Sequence, residues 1–208
     1  MEIETLFSSS KWDILRELSK HSYSPLELAS RSKTTIANIS QQLRLLEAFG
    51  LIKKKKISNR DRGKPRTLFS LSENYAYLIA TTNGFASKKL LRLTPHHETM
   101  LKIWFISNPE LHYYAEKFYW KIEPYIKYID ALVIVADKDL LFVVVTNKPR
   151  DIKIEESIIK KPGGEQKKVK VSMLTVAESN KRIKQRISPF EKEFVVVYDP
   201  NRVLELPE

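Results

Sequence analysis

The chain contains no cysteine. That single absence excludes disulfides, thiolate metal sites and cysteine nucleophiles, so thiol chemistry has no part in what the protein does. Long hydrophobic runs are also missing: none approaches the ~20 residues that a membrane-spanning helix needs. The opening MEIETLFSSSKW carries two acids and no apolar stretch of the signal-peptide kind. A cytoplasmic protein with no membrane partner is therefore expected. Acids, finally, are scarce in one half. Through Arg92 there are 17 Lys and Arg against 8 Asp and Glu, giving +9, whereas the remainder has 19 against 17, giving +2. A basic half joined to a near-neutral half predicts a polyanion-binding module, residues 1–92, followed by a second domain, residues 93–208. At 208 residues and 42% hydrophobic content, both are large enough to bury a core.

The basic half opens with helix signals. In KWDILRELSK, Trp12, Ile14, Leu15 and Leu18 recur at helical spacing, and Ser10 with Asp13 three positions on reads as a variant capping box. SPLELAS follows, with Ser24 as N-cap, Pro25 at the first helical position and Glu27 three residues after the cap. A longer helix is predicted from about Thr34 to Phe49, where Ile36, Ile39, Leu43 and Leu46 form one apolar stripe and Gly50 is the stop. At roughly 100° per residue the opposite face carries Thr34, Asn38, Gln41 and Arg44, with Thr35 and Gln42 at its edges. Amide side chains pair bidentately with adenine in the major groove, and arginine pairs with guanine or phosphate. The composition of this face thus suits base reading.

Next comes LIKKKKISNRDRGKPRTLFSL, with eight cations, Lys53, Lys54, Lys55, Lys56, Arg60, Arg62, Lys64 and Arg66, against one acid, Asp61. LIKKKKI and RTLFSLS are strand-like, and SNRDRGKP between them has hairpin-turn composition. Phe69 and Leu71 point toward the core, and the other positions project cations.

Helix, short helix, turn, longer helix and basic hairpin form the order of the winged helix-turn-helix. TTIANISQQLRLLEAFGLIKKK resembles the archaeal branch of ArsR-like and MarR-like transcriptional regulators, and LFSSSKWDILREL resembles the first helix of the ArsR-like group. The resemblance covers residues ~1–83. It implies a regulator of transcription that binds double-stranded DNA, with the 34–49 helix in the major groove and the cationic wing on the phosphate backbone. It implies no catalysis and no cofactor. It also implies a homodimer that matches two half-sites, with a small-molecule effector left open.

SENYAYLIATTNG reads as a helix from Ser72 to Gly84, and FASKKLLRLT as a linker or strand. In the second half, Thr94 with Pro95, and Asn108 with Pro109 and Glu110, start two further helices, and Pro124 is expected to kink or split the latter. The many aromatics of the two helices, Trp104, Phe105, Tyr113, Tyr114, Phe118, Tyr119, Trp120, Tyr125 and Tyr128, are expected in the core or in a dimer interface. His96 and His97 are adjacent and point ~100° apart, which argues against a shared metal ion.

ALVIVADKDLLFVVVTN gives two strands around a turn at Asp137, Lys138 and Asp139. VKVSMLTV gives a third, Thr175 and Glu178 cap a helix, and EFVVVYDP gives the last strand. The fold class expected is α+β, with an α/β second domain of about four strands. Its element order is similar to the minimal nucleotidyltransferase fold, whose active members use an Asp-x-Asp pair in a two-metal site. Asp137 and Asp139 match that spacing, but no Gly-Ser precedes them and VKVSML offers no third carboxylate. The second domain is accordingly read as a dimerisation domain, a sensor or a degenerate, noncatalytic version of that fold. Two alternatives to a DNA-binding regulator stay open: a nucleotidyltransferase-like enzyme with a winged regulatory domain, and a winged-helix protein-interaction module. KIEESIIKKPGGEQKKVKV reads as the most loop-like stretch of the second half, with KKPGGEQKK exposed either as a contact to DNA phosphates or a nucleotide or as a charged hairpin tip.

Overall fold

The structure, a computed structural model, describes residues 9–57, 66–136, 140–190, 192 and 194–206. The chain is mixed α and β and divides into two compact units, Met1–Arg92 and Leu93–Glu208.

In the first unit three helices precede four strands. Helix α1 spans Ser9–Lys20 and buries Ile14, Leu15 and Leu18. It begins earlier than the sequence reading: Ser10 lies inside the helix, and Asp13 pairs with Arg16 at 2.9 Å instead of closing a capping box. Helix α2, Pro25–Arg31, starts as its sequence dictates. The Ser24 side chain accepts from the Glu27 backbone N–H at 3.4 Å, and the Glu27 carboxylate accepts from the Ser24 N–H at 2.7 Å. The Ser24 hydroxyl, which also donates to the Glu27 carboxylate at 2.7 Å, and the Ser24 N–H together hold the Glu27 carboxyl below its usual range. Helix α3, Ile36–Ala48, is capped by Thr35 and buries Ile39, Leu43 and Leu46, while Gly50, at φ 70°, takes the left-handed conformation that lets the chain turn into a strand. Ile36 does not join the stripe; it is 47% exposed on the first helical turn, beyond the reach of the core.

Strands β1, Ile52–Ile57, and β2, Arg66–Leu71, pair antiparallel, with Ile52 opposite Leu71 and Lys54 opposite Phe69. Tyr23 exchanges two backbone hydrogen bonds with Phe69, at 2.8 and 3.0 Å, and so ties the α1–α2 connection to the hairpin. Residues 72–84 are not a helix. Strand β3, Tyr75–Thr82, pairs antiparallel with β4, Phe85–Arg92, through a turn at Asn83 and Gly84. Asn-Gly between β-branched and aromatic residues is a strong hairpin signal, and it overrides the weak helical periodicity.

The second unit is a five-stranded sheet in the order β7-β8-β6-β5-β9, built from β5 (Ala131–Ala136), β6 (Leu140–Val145), β7 (Ser157–Lys160), β8 (Gln166–Leu174) and β9 (Phe194–Tyr198). Among the described residues only the β6–β8 pair is parallel. The fifth strand is β7, from the stretch read as a charged loop: Ile159 is buried, and β7 forms a hairpin with β8 around Gly164. Alternation along β5 and β6 sends Leu132, Ile134, Phe142 and Val144 to one face and Ala131, Val133, Val143 and Val145 to the other. The first face is covered by α4 (Pro95–Trp104) and α5 (His112–Ile122), the second by α6 (Val176–Lys184). Glu123–Tyr128 is a 3-10 turn, so Pro124 ends α5. The aromatics divide: Tyr114, Phe118 and Tyr119 are core, whereas Trp104, Trp120 and Phe105, the last 83% exposed, are on the surface.

Among the described residues no helix is long and apolar enough to cross a membrane.

Candidate nucleic-acid interface

The site is set by which way each side of α3 turns. Asn38 Nδ2 donates to Thr34 Oγ1 at 3.0 Å, and Gln42 Nε2 donates to Asn38 Oδ1 at 3.3 Å. This ladder, at positions i, i+4 and i+8, runs along the edge of α3 that faces back toward α1. Together with Ser9, Ser10, Asp13 and Ser32 it lines a cavity of about 250 Å³. Within the described residues, Ser32 Oγ and Gln42 Oε1 are buried without a hydrogen-bond partner, so the cavity is polar and roomy enough for ordered water. Thr34, Asn38 and Gln42 are therefore half-buried and occupied with one another. Thr35 is exposed, but its hydroxyl accepts from the Asn38 backbone N–H at 3.2 Å as the N-cap.

The outward stripe of α3 is Ala37, Gln41, Arg44 and Ala48, flanked by Ile36. Spacings of four, three and four keep these residues on one face. One amide and one guanidinium between two alanines make a surface that approaches another molecule closely at its ends and carries two polar probes at its centre. Of the residues expected to read bases, Gln41 and Arg44 are brought together and fully presented. Ile36 and Ala37 were not among them; 3.6-residue periodicity alone places Ala37 in line with Gln41 and Arg44, whereas Ile36 shows only once the core is known.

Lys53, Lys54, Lys55 and Lys56 are all exposed on β1, directly after α3. Lys54 is committed within the protein, its Nζ lying 2.9 Å from the Glu47 carboxylate on α3. Lys53 and Lys55 alternate to the other face of the strand, opposite Ser70 and Leu68. Arg66 stands opposite Ile57 at the hairpin's far end. Arg60, Arg62 and Lys64 lie outside the described residues, as do Asp137 and Asp139 of the Asp-x-Asp spacing. Ser72 and Tyr75 lock the hairpin to the helices: both hydroxyls donate to backbone carbonyls, those of Gly50 and Leu51. Burial pushes the Tyr75 hydroxyl up to about 12.

In the second unit, His96 Nδ1 lies 2.5 Å from the Glu123 carboxylate, and His97 Nδ1 lies 3.1 Å from the Thr94 hydroxyl, so each histidine serves local structure. A cavity of about 530 Å³ lies beside the end of α6, lined by Glu178, Lys181, Arg182 and Gln185. Arg182 Nη1 donates to the Ser188 carbonyl at 2.9 Å, which spends that cation on closing the 185–190 loop. On β8, next to β6, Lys170 and Ser172 alternate with Val169, Val171 and Met173, and the strand holds no carboxylate.

No family model matches the chain, and no curated protein matches it either.

Proposed function

We propose that the first unit is a winged helix-turn-helix of the ArsR-like and MarR-like kind, and that the chain is a sequence-specific regulator of transcription acting on double-stranded DNA. The observation that carries this reading is the outward stripe of α3, with Gln41 and Arg44 exposed at its centre and the cationic β1 directly behind it. An α-helix fits the major groove, and the contacts available there to an amide and a guanidinium distinguish base pairs by about 1–3 kcal/mol each. Lys53, Lys55 and Arg66 lie along the sugar-phosphate chain and set register. The excess of nine positive charges through Arg92 draws the domain to any duplex, and α3 selects among sequences. In this scheme the chain works as a homodimer, and the second unit supplies the regulatory or partner-binding surface.

The reading is tested by capturing genomic fragments on the purified full chain at moderate and at high salt, then sequencing what stays bound. A recurrent motif of two related half-sites that survives high salt is expected. Gln41→Ala relaxes that preference while leaving total binding at low salt nearly intact, and Lys55→Ala weakens all sequences alike. Uniform recovery that vanishes with salt, for wild type and variants together, rules out base reading by α3.

A further inference from the structure

The β3–β4 ribbon has a firm base and an uncovered end. Tyr75 and Leu90 pack against the core of the first unit, and the Tyr75 hydroxyl is bonded to the Leu51 carbonyl. From Leu78 through Lys89 every residue is exposed, Ile79 by 69% and Phe85 by 58%. Each of these strands has the other as its sole sheet neighbour among the described residues. A two-stranded hairpin is marginal in water, and independent stability asks for at least three strands with an apolar face. An eight-residue arm of this kind therefore calls for something to pair with.

The two edges differ in what they accept. Strand β4 carries Lys88, Lys89 and Arg92, and edge lysines are the ordinary protection against unwanted strand pairing. Strand β3, YAYLIATT, has no charge and no proline along its eight residues, and its register with β4 is unbroken by any bulge. It is the edge left open. A polyanion finds no cation on it, and a basic or acidic peptide finds no countercharge. A second copy of β3 fits: two-fold antiparallel pairing makes a four-stranded sheet in the order β4-β3-β3-β4. The lysine-bearing strands then sit on the outer edges, roughly 14 Å apart at ~4.8 Å per strand. That separation exceeds the Debye length of about 8–10 Å at physiological salt, so the like charges are screened from one another. A two-fold axis normal to the sheet also requires facing residues to point the same way, which permits Ile79 opposite its own copy.

We propose that the β3–β4 ribbon is a dimerisation arm, in which the uncharged edge of β3 pairs with β3 of a second copy around Ile79. The inference holds whether or not the chain binds DNA. It moves the dimer contact from the aromatic helices that the sequence suggested to the stretch first read as a helix.

Because the chain has no cysteine, Ile79→Cys introduces a single thiol. Facing positions on paired strands hold Cβ atoms about 4.5–5.5 Å apart, near enough for a disulfide after small adjustment. Mild oxidation of the full-length Ile79→Cys chain is expected to give a covalent dimer on a non-reducing gel, and Lys88→Cys, on the outer strand, to give little. Ile79→Lys, at an exposed position, is expected to sediment as a monomer with an unchanged circular dichroism spectrum. Equal cross-linking at 79 and 88, wild type sedimenting as a monomer at tens of micromolar, or a dimer that persists in Ile79→Lys each overturns the proposal. The last outcome with an intact sequence preference would leave the DNA reading standing and place the dimer contact elsewhere.

Discussion

The four lysines of β1 look alike in the sequence, yet their surroundings divide them, and salt dependence exposes the division. Each phosphate contact contributes about 0.9 to the slope of log affinity against log salt. Lys53 and Lys55 face away from α3, whereas Lys54 is held by Glu47 at 2.9 Å. The double variant Lys53→Ala/Lys55→Ala is therefore expected to flatten the slope by about 1.8, twice the single-contact value. Over a fourfold rise in salt the wild type then loses about 12-fold more affinity than the double variant. Lys54→Ala removes a cation already balanced by a carboxylate, and an exposed pair of this kind is worth only about 0–1 kcal/mol, so the slope should move by much less than 0.9. The assay is fluorescence anisotropy of a labelled duplex, titrated at five or six salt concentrations. If Lys54→Ala flattens the slope as much as Lys55→Ala does, then neither strand alternation nor the Glu47 pair decides which cations meet phosphate.

Two further measurements address stability. Ser24→Ala removes the two bonds made by the Ser24 hydroxyl, to the Glu27 N–H and to its carboxylate, and is expected to cost about 1 kcal/mol, lowering the melting transition of the first unit by roughly 4–8 °C in calorimetry. Glu27 has a lowered folded-state pKa, so its contribution is present above the usual carboxylate range and is lost as pH falls through the lowered value. The acid limb of wild type should accordingly be steeper than that of Ser24→Ala, and parallel limbs refute the assignment. Tyr75 acts at the other end of the scale. With its hydroxyl pushed up to about 12 by burial, the unfolded chain ionises first, and stability falls as pH climbs from the ordinary tyrosine value toward 12. Tyr75→Phe gives up one hydrogen bond to Leu51, whose carbonyl keeps the Ser72 N–H at 3.0 Å, and is expected to cost about 0.5–1.5 kcal/mol at neutral pH while removing part of the alkaline loss. An unchanged alkaline limb in the variant would show that Tyr75 ionises normally.

Local signals were readable where they are redundant. Ser24, Pro25 and Glu27 agree on one helix start, and Thr175 with Glu178 agree on another; both capping boxes are present in the structure. Apolar spacing found Ile39, Leu43 and Leu46, because three buried positions fix a helix face. The same spacing misplaced Ile36, since a helix's first turn overhangs the core that the rest of it covers. At the candidate site, the residue types were legible and their directions only partly so. Thr34, Asn38 and Gln42 pair with each other along one edge, and that depends on α1 standing beside them, which no local pattern records. The arm was missed because Ala76, Ala80 and Leu78 suit a helix as well as a strand. Asn83-Gly84 was the deciding signal, and it was read as a helix stop when it is a hairpin turn. Strand β7 was missed because four residues beside a charged turn form a strand only when β8 is there to pair with them.

The position of β5 in its sheet bears on how the chain is made. β5 lies between β6 and β9, yet about 60 residues separate its end from the end of β9. At ~5–20 residues per second of synthesis, β5 waits roughly 3–12 s for the neighbour that covers its second edge. During that interval a strand whose residues Ala131 to Val135 are all buried in the finished protein has one side of its backbone unsatisfied. The β1–β2 and β3–β4 hairpins of the first unit face no such delay, because each strand's partner follows it closely in sequence. A ribosome carrying this chain therefore presents a folded basic head ahead of an unfinished hydrophobic sheet, and holdase chaperones have their best target in the open edge of β5.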